Sequence, residues 1–188
     1  ADTAFNSAIV TTASTSAWGD YPGTCVFFQT DSSDNIYLGG GTNGVPMYKV
    51  STTGVVQSTY ATTLAATLVA AQGASYYIEA FQVRPDGSAV VVVRGSSVST
   101  LIVDSSGALV KAFPNSDGLN VASWYGISTA DSSGNVYLAS NYYTGVVRKI
   151  NYSTNAVDTD YTTAAVAADV ASDLYQSSSV NPGELAVG

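Results

Sequence analysis

Histidine is absent from this chain, cysteine occurs once, and lysine and arginine together number only six. Without histidine, the Ser-His-Asp and Cys-His catalytic arrangements and the His-bearing zinc sites of most hydrolases are excluded. Cys25 has no partner for an internal disulfide, and its position beside Val26, Phe27 and Phe28 favours buried packing over a role as nucleophile. These absences remove a large share of enzyme classes.

Positive charge is too sparse to form a nucleic-acid surface. The formal net charge is −8, and the few cations are scattered along the chain. We therefore expect no nucleic-acid partner, because phosphate binding needs a basic patch or stripe. No apolar run approaches the roughly 18 residues that span a bilayer, so we also expect no membrane span. A hydrophobic content of 46% with 11% charged residues indicates a folded chain rather than a disordered one.

One short pattern returns along the chain about every fifty residues, which is typical of a repeat architecture. The copies are Asp-Ser-Ser-Asp-Asn-Ile-Tyr-Leu at 31–38, Pro-Asp-Gly-Ser-Ala-Val-Val at 85–91, Asp-Ser-Ser-Gly-Asn-Val-Tyr-Leu at 131–138 and Asn-Pro-Gly-Glu-Leu-Ala-Val at 181–187. Each of the first three turns lies between two apolar runs, so each predicts a β-hairpin. A third run, a second Ser/Thr/Asn/Asp-rich turn and a fourth run (55–57, 109–111 and 156–158) complete each unit.

Four antiparallel strands in a repeat of about fifty residues predict the blade of a β-propeller. The fold class is thus predicted as all-β, with the whole of 1–188 forming one propeller segment. Its predicted parts are an outer strand at 5–12, blades at 20–60, 76–113 and 123–161, and a partial blade at 175–188. The alanine-rich stretches after Tyr60 and Tyr161 are placed in connections between blades. Propellers close with four to eight blades, so we expect a longer polypeptide or other chains of a larger assembly to complete this one.

Residues 31–41 and 131–140 resemble the seven-bladed β-propeller repeat of bacterial exported proteins, whose units carry a similar Asp-Ser-Ser-Gly-Asn-Val-Tyr turn. The similarity to NHL-type repeats is more distant. The resemblance implies a propeller in an exported protein and says little about activity. Propeller lyases that act on cyclic peptide antibiotics depend on histidine, so their activity is not implied here.

Acidic residues offer two chemical alternatives. Asp31, Asp34 and Asn35, with Asp131 and Asn135, suggest calcium, but these side chains commonly bond their own turn backbone, and the EF-hand ligand pattern is missing. We predict no metal and no cofactor. Glu79 and Glu184 are the only glutamates. With the aspartates they leave open a carboxylate pair of the kind that glycosidases use, although we predict no catalytic residue.

Binding is predicted on one face of the propeller. In a four-stranded meander the first and third connections, here the tight turns, emerge on one face, while the longer aromatic loops emerge on the other. The candidate binding residues are Trp18, Tyr21, Tyr76, Tyr77, Trp124, Tyr125, Asn141, Tyr142 and Tyr143. Such rings suit a sugar face or a protein hot spot. Packing between blades is the alternative, above all for Tyr76-Tyr77 and Trp124-Tyr125.

We therefore expect a non-enzymatic extracellular recognition or structural module, an adhesion protein that binds glycan or a protein surface. Two settings fit: a bacterial secreted or cell-surface protein, and a virion structural component such as a tail appendage or capsid decoration. The enzyme alternative is a hydrolase or lyase that acts on polysaccharide through paired carboxylates. An inert spacer is the third alternative.

Tyr142 and Tyr143, in a predicted loop, are the first pair to change. Substituting both with alanine is expected to abolish ligand or partner binding while leaving the melting temperature unchanged, because exposed rings contribute little to the core. Binding assays and thermal unfolding on the same samples check this. A large fall in melting temperature would assign both rings to packing.

Overall fold

The computed structural model describes residues 27–39, 47–113, 119, 126–140 and 147–161. Strands account for 44% of them, in three antiparallel sheets of three or four strands, which confirms the all-β class. The first sheet contains β1 (Phe27–Thr30), β2 (Ile36–Gly39) and β3 (Met47–Val50). The second contains β4 (Tyr77–Val83), β5 (Ala89–Arg94), β6 (Val98–Val103) and β7 (Leu109–Ala112). The third contains β8 (Gly126–Ala130), β9 (Val136–Ser140) and β10 (Val147–Ile150).

Strand order follows chain order in every sheet, as in a meander of consecutive hairpins. The second sheet carries all four predicted strands. In the other two, the predicted fourth strand shrinks to a single residue pair, Val56 opposite Val50 and Val157 opposite Ile150. Prediction of a full strand at 55–57 was wrong, because the chain leaves the sheet there and begins a helix at Ser58.

Helix α1 (Ser58–Gln72) forms from the alanine-rich connection between the first two sheets. Alanine and leucine have high helix propensity, and no proline or glycine interrupts the segment. Tyr60, Leu64 and Leu68 are spaced four residues apart, so they lie on one helix face, and all three are buried in the main core. The helix therefore packs where the missing fourth strand would have covered the sheets.

The second sheet is buried on both of its faces. Along β5, Ala89, Val91 and Val93 lie in a main core shared with the first sheet and α1. Val90 and Val92, which alternate with them, lie in a second core shared with the third sheet. Successive strand residues point to opposite faces, so the continuous apolar run of β5 requires a neighbouring layer on each side.

Six tight turns follow strands of the three sheets, and five of them share one hydrogen-bond frame, whereas the turn at 151–155 is one residue longer. In the first, the Asp34 N–H donates to the Asp31 carbonyl (3.1 Å), and the Asp31 N–H donates to the Asn35 carbonyl (3.2 Å). The last residue of each turn has positive φ: Asp34, Gly54, Gly87, Gly107, Gly134 and Asn155. This matches a type I turn followed by a left-handed residue that forms a bulge.

Carboxylates at the first position of three of these turns, Asp31, Asp104 and Asp131, cap the turn itself. Asp31 Oδ1 accepts hydrogen bonds from the backbone N–H groups of Ser33 (2.9 Å) and Asn35 (3.0 Å). Asp131 does the same for Ser133 (3.0 Å) and Asn135 (2.9 Å). These side chains stabilise their own turns, which is the alternative to calcium binding that we favoured.

The turns of the three sheets meet on one side, which we call the turn face. The Ser32 N–H donates to the Pro85 carbonyl (3.3 Å), and Lys49 Nζ donates to the Ser105 carbonyl (3.3 Å). Between the second and third sheets, Arg84 Nη1 donates to Asn155 Oδ1 (2.6 Å). For the described turns, this agrees with the predicted grouping on one face. The predicted outer strand 5–12 and partial blade 175–188 lie outside the described residues.

Asp34 and Gly134 occupy the same turn position and are expected to respond oppositely to substitution. Asp34 is exposed with φ of 58°, so Asp34→Gly should relieve left-handed strain and raise the free energy of unfolding by about 0.5 kcal/mol. At Gly134, with φ of 82°, a Cβ would lie 2.9 Å from Pro85 Cδ. Gly134→Ala should lower stability by about 1–2 kcal/mol.

Urea unfolding of the two variants beside the unchanged chain measures both effects. A loss of stability in Asp34→Gly, or none in Gly134→Ala, would contradict this account of the turns.

Candidate functional site

The edge of the sheets opposite the turn face, which we call the loop face, carries an aromatic ring beside an ion pair. Its described residues are 73–77 and 94–98. Tyr77 at the start of β4 and Arg94 at the end of β5 are paired across the two strands. The Arg94 guanidinium carbon lies 4.9 Å from the centre of the Tyr77 ring, which is 38% exposed. This distance is within the range of a cation–π contact.

Glu79 completes the cluster from inside the sheet. Its Oε1 accepts a hydrogen bond from Arg94 Nε at 2.5 Å, with 6% of the Glu79 side chain and 28% of the Arg94 side chain exposed. The carboxylate is thus held below the surface, whereas the guanidinium lies between it and the exposed Tyr77 ring. We call Tyr77, Glu79 and Arg94 the loop-face cluster.

A β-bulge in β4 brings Glu79 into this position. The ladder pairs Ile78 with Val93 and Ala80 with Val92, so Glu79 is the extra residue opposite the step between these two valines. The bulge also resets the alternation of side chains, since Ile78 lies in the main core and Ala80 in the second core. Bulges commonly redirect a side chain in this way.

Burial governs the ionisation of Glu79. Desolvation raises the pKa of its carboxyl above the ordinary glutamate value, and the hydrogen bond and charge of Arg94 oppose this shift without cancelling it. Within the described part of the chain, Arg94 is the charged group that affects this pKa, and no second carboxylate contributes. Among the described residues, Glu79 is therefore a carboxyl paired with a guanidinium cation.

The end of helix α1 fixes the turn that follows Arg94. Gln72 Nε2 donates to Ser99 Oγ (2.6 Å), and its Oε1 accepts from the Ser97 backbone N–H (3.3 Å). A Cβ on Gly95 would lie only 2.8 Å from the Gln72 carbonyl oxygen, so a side chain there would separate the helix from the turn. Gln72 and Gly95 position the cluster from behind.

Of the predicted binding residues, the structure describes two. Tyr77 belongs to the exposed loop-face cluster. Tyr76 is buried in the main core, so the Tyr76 ring is not part of the contact surface. The remaining candidates lie outside the described residues: Trp18, Tyr21, Trp124, Tyr125, Asn141, Tyr142 and Tyr143. Their roles stay predictions.

Sequence reasoning did not single out Arg94 and did not connect Glu79 with Tyr77. The sequence does carry a signal for the Tyr77–Arg94 contact. The predicted hairpin turn at residues 84–88 places the start of β4 beside the end of β5. The bulge, however, is needed to turn Glu79 toward Arg94, and nothing in residues 77–83 marks it.

In residues 27–39, 47–113, 119, 126–140 and 147–161, acidic and cysteine side chains form no group of three that could hold a metal ion. Across the same part of the chain, no helix has both the length and the apolar content needed to cross a bilayer.

Comparison of the chain with protein-family models and with curated proteins finds no match. The resemblance of the turn at 131–138 to exported propeller repeats therefore stays a prediction.

The raised pKa of Glu79 predicts a pH-dependent stability effect. A carboxyl whose pKa is raised on folding favours the folded state below its unfolded pKa, and that contribution is lost as pH rises through the folded pKa. Glu79→Gln keeps an oxygen for Arg94 but cannot ionise. The melting temperature of the variant minus that of the unchanged chain should therefore be more positive at about pH 7 than at about pH 4.

Asp131→Asn is the matched control. Burial acts to raise the pKa of Asp131, but hydrogen bonds from Asn135 and Tyr137 outweigh it and hold the pKa below its ordinary value. The melting temperature of Asp131→Asn minus that of the unchanged chain should be more negative at about pH 7 than at about pH 3. Equal pH profiles for the two variants would contradict the assignment of Glu79.

Proposed function

We propose that this chain is a segment of a β-propeller that serves as a non-enzymatic extracellular recognition module and binds glycan through its loop face. The architecture rests on the fifty-residue repeat, on the meander order of each sheet and on the stacking of the second sheet between the other two. Propeller blades are four-stranded sheets packed face to face around an axis.

The contacts between first strands support this arrangement. Gln29 on β1 donates from Nε2 to the Phe81 carbonyl of β4 (2.8 Å), and its Oε1 accepts from the Val83 N–H (2.7 Å). Strand β4 in turn lies beside β8 of the third sheet. The first strands of consecutive sheets are therefore neighbours, as expected for strands that line a propeller axis.

Glycan recognition rests on the exposed Tyr77 ring of the loop-face cluster. A sugar presents an apolar face and a ring of hydroxyl groups, so it suits an aromatic surface with charged hydrogen-bonding groups beside it. Tyr77 offers the ring, and Arg94 and Glu79 lie next to it. The bulge and the Gln72 contacts hold these groups in place before a ligand arrives, which reduces the entropy lost on binding.

Two biological settings fit such a module, a bacterial exported protein and a virion structural component. The repeat pattern resembles that of exported bacterial proteins, and a tail appendage or capsid decoration of a virion would use the same chemistry to contact host glycan. Recovery of the chain from purified particles would favour the virion, and its recovery from culture medium or the cell surface would favour the bacterial protein.

A polysaccharide hydrolase or lyase is the second candidate function, because Glu79 is a carboxyl with a raised pKa, as a general acid requires. The mechanism of most glycosidases needs a second carboxylate about 5–9 Å away. Arg94 neutralises Glu79 instead, and this favours binding over turnover.

A glycan array of bacterial and animal oligosaccharides, probed with the fluorescently labelled chain, tests the proposal. We expect saturable binding to a restricted set of sugars that Tyr77→Ala weakens at least about tenfold, since hot-spot aromatics contribute over 1 kcal/mol. The melting temperature should change little, because the ring is 38% exposed.

Phe28→Ala is the matched control, because Phe28 is an aromatic residue on β1 that is 68% exposed and lies outside the loop-face cluster. It should leave binding unchanged. Absence of binding to every glycan would overturn the proposal, and capture of a protein ligand by the Tyr77 surface would replace it. New reducing ends or unsaturated products from the bound polysaccharide would establish the enzyme instead.

A further inference from the structure

A guanidinium group is buried on the turn face, where the second sheet meets the third. Arg84 follows β4 at the start of the turn to β5, and it is 2% exposed. Its Nη1 donates to Asn155 Oδ1 at 2.6 Å, in the turn that follows β10. Its guanidinium carbon lies 5.5 Å from the centre of the Tyr152 ring, within the range of a cation–π contact. The third sheet therefore fixes the orientation of this cation.

The remaining edge of the Arg84 guanidinium carries two unpartnered donors. Nε and Nη2 are both buried, and neither has a hydrogen-bond partner among the described residues. These two nitrogens share one edge of the planar group and present parallel N–H bonds, the arrangement that binds two oxygens of a carboxylate or phosphate. Buried donors without partners are rare, because each loses its hydrogen bonds to water without replacement. The unpartnered edge is thus the one suited to an oxyanion.

Arg84 forms no ion pair with a described carboxylate, in contrast to other cations of the same residues. The charge of Asp86 acts on Arg84, but Asp86 Oδ1 accepts hydrogen bonds within its own turn, from the Ser88 N–H (3.0 Å) and the Ser88 hydroxyl (2.6 Å). Other cations have a carboxylate within ion-pair distance, in the pairs Lys49–Asp31, Arg94–Glu79 and Lys149–Asp158.

A second cation reaches the same residue of the third sheet. Lys111 Nζ donates to the Asn155 carbonyl oxygen at 2.6 Å, so Asn155 accepts from Lys111 with its backbone and from Arg84 with its side chain. Two positive charges thus converge on one uncharged residue, an arrangement that attracts an anion. Lys111 and Asn155 are half-buried, so the group borders the solvent on their side.

The junction of the first and second sheets shows what an anion does at the corresponding place. There the first turn position is Asp31, whose Oδ2 lies 3.7 Å from Lys49 Nζ. Both side chains are buried, with 7% of Lys49 and 4% of Asp31 exposed, so the carboxylate compensates the lysine inside the junction. In the second sheet the same turn position holds Arg84, and the nearby lysine is Lys111. The second junction therefore has two cations where the first has a cation and a carboxylate.

We propose that the junction of the second and third sheets binds a small oxyanion, a phosphate or a carboxylate, on the Nε–Nη2 edge of Arg84, with Lys111 as the second cation. Two oxygens of the ligand accept hydrogen bonds from that edge, and its negative charge compensates the two cations. The ligand supplies the charge that the Asp31 carboxylate supplies at the first junction. This site is on the turn face and is independent of glycan binding at the loop-face cluster.

Equilibrium dialysis of the full chain against radiolabelled phosphate, and separately against radiolabelled acetate, tests the proposal. Sodium chloride keeps the ionic strength constant, so that general screening is the same in every sample. We expect saturable binding of at least one of the two anions, with a single site per chain. The anion that binds more tightly identifies the ligand as a phosphate or as a carboxylate. The same anion should raise the melting temperature, because it binds the folded state.

Three variants make the test specific. Arg84→Lys keeps the charge but loses the two-donor edge, so it should weaken binding at least about tenfold. Lys111→Gln removes the second cation and should weaken binding about threefold or more. Lys149→Gln is the matched control, because it removes the same charge from a lysine of the third sheet that is paired with Asp158. It should leave binding unchanged.

Absence of saturable binding for both anions would overturn the proposal, and so would a folded Arg84→Lys variant that binds as tightly as the unchanged chain. Equal weakening by Lys111→Gln and Lys149→Gln would also overturn it, since this would indicate attraction by the overall charge rather than by a site. If Arg84→Lys does not fold, the comparison of Lys111→Gln with Lys149→Gln decides the question.

Discussion

Burial of β5 on both faces is the constraint on which the rest of the structure depends. Its residues Ala89–Val93 are all buried, with alternate side chains in two different cores. Burying a valine stabilises by roughly 1.5–3 kcal/mol, so this strand contributes strongly only when both neighbouring layers are present. The second sheet is therefore stabilised by the sheets on both of its sides.

Stacking also determines what each edge of the sheets presents. Short turns on the turn face contact one another through backbone groups. The opposite edge ends in Tyr77 and Arg94, and helix α1 reaches it at Gln72. Helix α1 thus has two roles: it covers the core in place of a fourth strand, and its last turn holds the β5–β6 connection beside the loop-face cluster.

The parts of the fold that depend on local patterns could be predicted from the sequence. Turn residues between alternating apolar runs locate the hairpins, and their spacing indicates repeated sheets. The loss of the fourth strand from the first sheet could not be predicted, because Val55-Val56-Gln57 looks like Leu109-Val110-Lys111, which does form a strand. What differs is the continuation: an alanine-rich segment without glycine or proline follows Gln57, and it forms α1 rather than extending the ladder. The loop-face cluster depends on a bulge at Glu79, a tertiary feature without a local signal.

Differences between the repeats are as informative as their similarity. Arg84 occupies the turn position that Asp31 and Asp131 occupy in the other sheets, and it is 2% exposed. Its guanidinium lies 5.5 Å from the Tyr152 ring and donates to Asn155, whereas Asp31 contacts Tyr37 and Lys49.

The two described junctions therefore place opposite charges at equivalent positions. Burial lowers the pKa of Arg84, with the charge of Asp86 acting the other way. A sheet that packed on the wrong partner would bury a charge without its complementary groups, and such mismatches cost several kcal/mol. Similar hairpins are thus distinguished by the charge at the first turn position, which is negative in the first sheet and positive in the second.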